Sequence, residues 1–466
     1  MNKLLKRKNT LTMRTILYSI SKILSQGINA IAAVVFVRLL TTEEYGYVSI
    51  YTAWVSIISV FISLRTDGTI QMARTKYGLE KTDEYCSCAL TISNLFFSLV
   101  FFVVLGIKLI GGTLLDKPVW YIVILLLHSY GSACLKFRSA YYAITKEATK
   151  DLIVSLLVSG LSLGLGVLLV VGMPANKYIG RILGFAIANV ILGLGYMLIM
   201  LKKGRKLFDR EYYRFCFPLA LPLIFSGLSS VIISQCDRLM LESMINAEAA
   251  AIYSFAYNVA LPISVIWYAL NHAWVPEYHE IMMAGESRLL QEHSNNYMKV
   301  FTCLSCGYIL ISNEMLYVMG TEDYYVAKTI LPLMTAYYFL QFLYTFPINY
   351  EFYKNNTKLL GTAMTLAAVI NIGLNYVLIP RFSMTGALTA SLLASVFMFV
   401  FHDINARFVL KGYHYSFSFY LKGIIPMIVT IALAYIFMEQ MIIRWLLATA
   451  IGIVLLLHIK KVKAII

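Results

Sequence analysis

Charge is scarce in this sequence of 466 residues. Only 14% of them are Asp, Glu, Lys or Arg, against about a quarter in an ordinary globular chain. That is too little polar surface to coat a soluble particle of this length. Glycine and proline, at 27 and 10 residues, are not enriched, which excludes fibrous and low-complexity chains. A composition that is 59% hydrophobic excludes disorder. Cysteine is sparse: seven residues, at 86, 88, 134, 216, 236, 303 and 306, mostly inside apolar segments. Cys86/Cys88 and Cys303/Cys306 lack His or acidic partners at ligand spacing, so they read as small buried hydrophobes and no metal site is expected. The chain has no zincin motif, phosphate loop, nucleophile elbow or paired loop carboxylates, so neither catalytic residues nor a cofactor is expected. Long polar loops are missing as well. The longest expected, about 276–294, leaves no room for a soluble catalytic domain.

What is present is one apolar run after another. A spanning helix needs about 20 mostly apolar residues. Fourteen segments qualify, near 14–37, 45–72, 86–110, 118–142, 150–172, 178–201, 215–240, 249–273, 295–319, 325–350, 358–379, 384–407, 418–438 and 442–459. The fold class expected is an all-α polytopic membrane protein of about 14 transmembrane helices. The basic start (Lys3, Lys6, Arg7, Lys8) runs into an apolar stretch too long for the core of a signal peptide, and reads as a first span with its N-terminus inside.

The net charge of +15 would suggest nucleic acid in a soluble protein; here it follows topology. With the N-terminus inside, twenty-eight Lys and Arg fall in inner segments and nine in outer segments or helix ends. Lys22 and Arg65 lie within helices. This alternation fits fourteen spans with both termini inside.

A shift of 205 residues maps helices 1–6 onto helices 7–12, with a faint echo of Glu43–Ser49 in Glu248–Ser254. Six helices keep orientation, so the two lobes would be related by a pseudo-two-fold axis along the membrane normal, with a site between them. The expected organisation is an N-terminal lobe (1–201), a basic linker (202–214), a C-terminal lobe (215–411), and helices 13 and 14 with a basic tail (412–466).

Ionisable groups inside spans are functional candidates, because each costs several kcal/mol to hold there. Lys22, Gln26 and Asn29 share one stripe of helix 1 at i, i+4 and i+7. They line a cavity or contact a neighbouring helix. Helix 2 carries Arg65 and Asp67, with Ser59 and Ser63 earlier on the same helix. A guanidinium suits forked contact with phosphate oxygens, or an internal Arg–Asp pair. Helix 7 shows Ser226, Ser230, Ser234 and Asp237 on one face, with Arg238 adjoining, and Pro218 and Pro222 as kink points. Helix 8 offers Tyr253, Tyr257 and Asn258 as lumen groups or packing aromatics. His128, Glu314, His402 and Asp403 stand alone in the sequence and read as packing groups, as does the Gly160/Gly164 pair. Asp67 and Asp237 are the candidates for ion coupling.

At Phe36–Gly46 (FVRLLTTEEYG) the chain resembles the polysaccharide-export family of the multidrug/oligosaccharidyl-lipid/polysaccharide exporter superfamily. The Pro218/Pro222 segment, Asp237–Leu241, Tyr253–Tyr257, Trp274–Pro276 and the Asn371/Asn375/Leu378–Pro380 stretch followed by Gly386–Ala387 are similar too. The likeness spans residues 14 to about 411. One departure is Asn246–Ala251, where that family usually has a Gly and this chain has none. The resemblance implies a MATE-like fold and a Wzx-type flippase in a bacterial inner membrane, moving undecaprenyl-pyrophosphate-linked oligosaccharide repeat units between leaflets. It implies a polysaccharide polymerase and chain-length regulator as partners besides membrane lipid, and no nucleic acid. Lys22 and Arg65 would take the pyrophosphate from the inner leaflet and Arg238 would meet it on the outer side. Gln26, Asn29, Ser230, Ser234, Tyr257 and Asn258 would line the path. A lipid II flippase and a multidrug exporter are alternatives within the superfamily. A membrane glycosyltransferase or polymerase lacks its large outer loop here, and a small-solute facilitator lacks its Gly-Asp-Arg signature in Met72–Tyr85.

Overall fold

The computed structural model describes residues 24–110, 117–356 and 358–462. Among them there is no strand. The helices are α1 (Leu24–Leu39), α2 (Thr42–Ser63), α3 (Ile70–Tyr77), α4 (Thr82–Leu109), α5 (Val119–Thr145), α6 (Ala148–Gly172), α7 (Lys177–Gly204), α8 (Arg210–Met244), α9 (Ala247–Ala284), α10 (Ser287–Met319), α11 (Leu331–Tyr353), α12 (Lys358–Ile404), α13 (Phe417–Ile436) and α14 (Met441–Val462). A 3-10 segment, Glu322–Thr329, precedes α11, and a π-helical turn, Asn405–Val409, follows α12.

Eleven of these helices are long and apolar enough to cross a membrane, or twelve when the bent pair Glu322–Thr329 and Leu331–Tyr353 is one span. The protein is thus a multi-pass membrane protein, but the described residues give eleven or twelve spans rather than fourteen. Two features account for the difference. Ser383 has non-helical angles (φ 50°, ψ −129°), so α12 is two expected spans joined through a kink. The first expected span overlaps the described residues only from Leu24, and α1 is shorter than a span.

Local chemistry explains the helix ends. Thr41 and Glu44 form a capping box at the start of α2: Glu44 N donates to Thr41 Oγ1 and Thr41 N to Glu44 Oε2, each at 3.2 Å. The acidic pair of the Thr-Thr-Glu-Glu motif is therefore a helix start. Asn246, extended at φ −173°, caps α9 by accepting from Ala249 N at 2.8 Å. That backbone needs no glycine, which explains the missing Gly in this connection. Asp209 caps α8 through Glu211 N and Tyr212 N (2.8 and 3.0 Å) and pairs with Lys206 at 2.6 Å. The Lys206 ammonium, followed by the Tyr212 amide, holds the Asp209 carboxyl below its usual range. α8 runs continuously through Pro218 and Pro222. The expected loop 276–294 is instead mostly helix, with only Gly285 and Glu286 between α9 and α10.

The chain forms two compact units, 1–239 and 240–466. The division lies inside α8. The first part of α8 packs on N-terminal helices: Tyr212 and Phe215 meet Tyr77 and Tyr85 edge-on, and Cys216 lies 3.8 Å from Thr69 Oγ1.

In the first unit, small residues let helices approach backbone to backbone. A Cβ at Gly184 would stand 2.4 Å from Gly166 N, and one at Gly193 2.4 Å from Gly131 O. Gly160 and Gly164 do not pack in this way; nothing lies within 4 Å of a Cβ there. The α6–α7 crossing uses the neighbouring face, through Gly166. In the second unit an aromatic core joins Phe301, Phe342 and Phe346 to Phe419 and Tyr420, embedding α13. The buried Arg444 fixes α14 to α10 by donating to Leu310 O (2.8 Å) and to both Glu314 oxygens (3.0 and 2.5 Å). In the broken α12, Asn371 Nδ2 donates to Ser391 Oγ (3.1 Å) and Asn375 Nδ2 to Asn371 Oδ1 (3.3 Å). This part of the resemblance motif holds the two halves together.

Two outcomes follow from this packing. Gly184→Ala forces a backbone apart and lowers stability by about 1–3 kcal/mol, while Gly164→Ala leaves the melting temperature in detergent unchanged. Arg444→Ala strands Glu314 and costs about 3–5 kcal/mol, whereas Arg444→Leu combined with Glu314→Leu recovers most of the loss. Thermal melts of the purified variants measure both.

Candidate functional site

The expected helix over 45–72 is broken in the structure. α2 ends at Ser63, Leu64 and Arg65 are both left-handed (φ 47° and 52°), and Thr66–Thr69 forms a 3-10 turn before α3. A spanning segment can be broken only where other groups take up the freed backbone polar groups. Here hydroxyls do so. Ser63 Oγ accepts from Arg65 N (3.1 Å). Ser63 O accepts from Thr66 Oγ1 (3.1 Å) and Ser93 Oγ (2.9 Å). Thr69 Oγ1 donates to Thr66 O and also meets Tyr85 Oη, both at 2.7 Å.

The break places Arg65 and Asp67 on a turn rather than on one helical face. Arg65 Nη1 lies 3.8 Å from Asp67 Oδ2, a long pair, with the side chains 30% and 13% exposed. Arg65 Nε has no hydrogen-bond partner among the described residues. The arginine stem lies across Gly227 of α8, where a Cβ would come 3.0 Å from Arg65 Cδ and 3.2 Å from Nε. A side chain at this position would crowd the arginine stem.

A second cation joins the cluster from α5. Lys136 Nζ donates to Ser59 Oγ at 2.9 Å and interacts electrostatically with both Asp67 and Arg65. Lys136 is accessible. Two basic side chains thus lie near one carboxylate. The group offers donors of two kinds, a planar fork and a mobile ammonium. From the sequence, Lys136 is one more inner-segment charge. Its signal was its place six residues inside the expected end of helix 118–142.

The neighbouring Arg138 is not part of this group. It is buried, pairing with Asp151 at 3.1 Å and with Ser155 Oγ at 3.0 Å, while Ser139 Oγ donates to the same carboxylate at 2.8 Å. Arg181, expected at an outer helix end, sits over the Phe36 and Phe185 rings (4.0 and 5.1 Å) and donates to Ser162 O at 3.0 Å. The Tyr51 hydroxyl meets His128 Nδ1 at 3.1 Å, in keeping with a packing role.

The remaining expected site residues are dispersed. Lys22 lies outside the described residues. Gln26 is half-buried and Asn29 exposed on α1. On α8, Ser230 is exposed, Ser234 Oγ donates to Val231 O at 3.0 Å, and Asp237 is buried. Arg238 donates to Gln235 Oε1 at 2.5 Å. It is eleven residues beyond Gly227, about 16 Å along the helix, so it does not join the Arg65 group. In the second unit, the half-buried Tyr257 packs on Tyr338 with ring centroids 5.6 Å apart, and Asn258 beside it is half-buried.

Sequence reasoning missed a second polar cluster, in the C-terminal unit. Glu351 of α11 is buried against His402 of α12 and Asn405 of the π turn. His402 and Asp403 are paired groups, not solitary ones: His402 with Glu351 at 2.8 Å, and Asp403 with Arg407 at 2.5 Å. Glu351 sits near the end of an expected span, where a polar residue draws no notice.

Known proteins agree with this architecture. A solved structure of the lipid II flippase MurJ, inward closed, matches with a TM-score of 0.72 at 13% identity, over 96% of this chain and 99% of that one. An inward-facing multidrug MATE transporter of the MOP superfamily matches with a TM-score of 0.60 at 14% identity, over 82% and 94% of the two chains. In Haemophilus influenzae, the Lsg locus putative protein 1 is 20% identical over 374 residues, 77% of this chain and 88% of that one. An uncharacterized membrane protein of the same organism is 22% identical over 374 residues, 75% and 88% of the two chains. The fold is that of flippases and exporters, as the sequence resemblance implied. A family model described as polysaccharide biosynthesis protein matches residues 11–282, more than half of the sequence, and the chain therefore belongs to the polysaccharide biosynthesis protein family.

Proposed function

We propose that the protein is a flippase for undecaprenyl-pyrophosphate-linked oligosaccharide repeat units, working by alternating access in a bacterial inner membrane with both termini cytoplasmic. One observation carries this reading: Arg65 and Lys136 converge on a broken span with Asp67 as their only carboxylate among the described residues. A lipid-linked oligosaccharide has a pyrophosphate at its head, and that group needs cations in a polar, accessible place. A guanidinium offers paired donors to phosphate oxygens and an ammonium follows them as a point charge. Asp67 trims the charge, so that the anion is held without being trapped. Family membership supports a polysaccharide role, and the fold supports a transporter. We retain Lys22 and Arg238 in this proposal as further cations on the path. Gln26, Asn29, Ser230, Ser234, Tyr257 and Asn258 are its polar lining. The two-lobe organisation with an added helix pair, and the polymerase and chain-length regulator as partners, belong to the same proposal.

The likeness to the lipid II flippase favours a second reading, transport of a peptidoglycan precursor. It would engage the same cations through the same pyrophosphate. A multidrug exporter of cationic compounds is disfavoured by the positive surplus.

Membrane potential favours outward movement of such an anion. Each charge is worth about 2.3 kcal/mol per 100 mV, so a pyrophosphate of about two charges gains roughly twice that on leaving a negative interior.

Reconstituted protein given fluorescent undecaprenyl-pyrophosphate-linked oligosaccharide tests the proposal. Arg65→Ala and Lys136→Ala each slow flipping about 10- to 100-fold, the loss of a charge-assisted contact of about 1.5–3 kcal/mol. Lys136→Arg retains more activity than Lys136→Gln. Wild-type rates in both alanine variants overturn the reading. Under the same conditions an inside-negative potential accelerates outward flipping, and collapsing it with an ionophore slows it. Lipid II as competitor separates the two substrate classes.

A further inference from the structure

The Glu351 cluster is an enclosed polar group of the C-terminal unit that contains an acid, and the substrate reading above makes no use of it. Glu351 is 2% exposed, His402 0% and Asn405 3%. His402 Nδ1 lies 2.8 Å from both carboxylate oxygens, and Asn405 Nδ2 donates to Oε1 at 2.7 Å. The carboxylate thus meets one titratable donor and one that does not titrate. Two atoms at the far side of the group, His402 Nε2 and Asn405 Oδ1, are buried with no hydrogen-bond partner among the described residues.

This geometry separates the two nitrogens of His402 by role. Nδ1 faces the carboxylate and keeps its hydrogen in either charge state. Nε2 has no protein group to satisfy, so it is the atom at which a proton can come and go. With Nε2 protonated, imidazolium and carboxylate cancel. When that proton leaves to water, a neutral imidazole remains beside a buried carboxylate and the group carries one negative charge. An uncompensated buried charge is costly, so the empty form is tolerated only when the surroundings open to water.

The local backbone offers a place for such an opening. Glu351 is two residues from the end of α11, and His402 two residues from the end of α12. The π-helical turn Asn405–Val409 follows at once, and π turns are rare and frequently mark functional sites. The surrounding ionisable groups are few. Tyr344 of α11 packs its ring on His402 with centroids 5.3 Å apart. Asp403 and Arg407 pair with each other. Lys354 lies over the Tyr350 and Tyr353 rings, and His279 of α9 meets Tyr353 at 6.1 Å. The Asp403–Arg407 pair is internally neutral, and neither Lys354 nor His279 contacts the carboxylate, so Glu351 has His402 as its counter-charge.

We infer that Glu351, His402 and Asn405 form a proton-exchange site in the C-terminal unit, with His402 Nε2 as the atom that binds and releases the proton. The site stands on this geometry alone. Its use to drive transport rests on the flippase reading: proton entry would be exchanged for substrate exit. Asp67, which faces two cations, and Asp237 would then not be the carriers.

The experiment has two arms on the full-length protein. The first is nitrogen NMR of histidine-labelled protein in nanodiscs. Over the pH range in which the protein stays folded, one imidazole changes protonation in the wild type and is absent from His402→Gln. In Glu351→Gln its midpoint moves toward acid by at least about tenfold in proton concentration, because the counter-charge that favours the imidazolium is gone. A His402 signal that stays neutral across this range in wild-type protein, or a midpoint unmoved by Glu351→Gln, overturns the site. The wild-type titration decides even where a variant folds poorly.

The second arm is flipping of fluorescent undecaprenyl-pyrophosphate-linked oligosaccharide with the potential clamped and a pH gradient of about one unit, a tenfold proton ratio. The gradient accelerates wild-type and Arg65→Ala protein, the latter from its lower rate, but not His402→Gln. Flipping that ignores the gradient overturns the coupling and leaves the flippase reading standing. No flipping of this probe by wild-type protein, with the His402 titration intact, overturns the flippase reading and leaves the proton site standing.

Discussion

A membrane interior supplies no water to a backbone group that has lost its partner, and this constraint governs the centre of the N-terminal unit. A chain that must turn there can do so only where hydroxyls stand ready. Ser63, Thr66 and Thr69 lie on the broken segment itself, while Ser93 and Tyr85 reach in from α4. Together they hold two left-handed residues other than glycine, which cost about 1–3 kcal/mol each. The return on that strain is placement. An arginine on a straight α2 would point along one fixed face, whereas at the break it lies over Gly227 of α8 and near the Lys136 ammonium.

The interior cations of the protein have distinct fates. Arg138 and Arg444 are matched by Asp151 and Glu314, which makes them joints between helices. Arg181 is enclosed by two aromatic rings and a carbonyl. Arg65 and Lys136 are accessible and share a single acid. Burial with a partner builds structure, and accessibility with a surplus leaves charge available for a ligand. On the acidic side Glu351 is likewise buried with a partner, His402.

The helical membrane class was legible because an apolar run of spanning length permits few alternatives. Arg65 was legible for the same reason, as a cation standing inside such a run. Lys136 was not, because a lysine six residues from an expected helix end looks like any residue placed by the positive-inside bias. The break at Leu64–Arg65 was illegible: neither residue is Gly or Pro, and two of the supporting hydroxyls come from positions 85 and 93. The Gly160/Gly164 spacing named a packing motif correctly in form and wrongly in place, since which face of α6 meets α7 is set by the whole unit. The capping box at Thr41–Glu44 shows the opposite case, a motif read through resemblance whose physical basis is entirely local.

The longest helices have a practical corollary. α9 has 38 residues and α10 has 33, about 57 and 50 Å at 1.5 Å per residue, whereas a hydrocarbon layer is about 30 Å thick. Joined by Gly285 and Glu286 and bridged between Glu277 and His293, they form a helical hairpin longer than the hydrocarbon layer is thick. For a protein otherwise almost without handles, its connection at Gly285 and Glu286 is a natural point on which to raise a binding reagent or graft a fiducial for imaging.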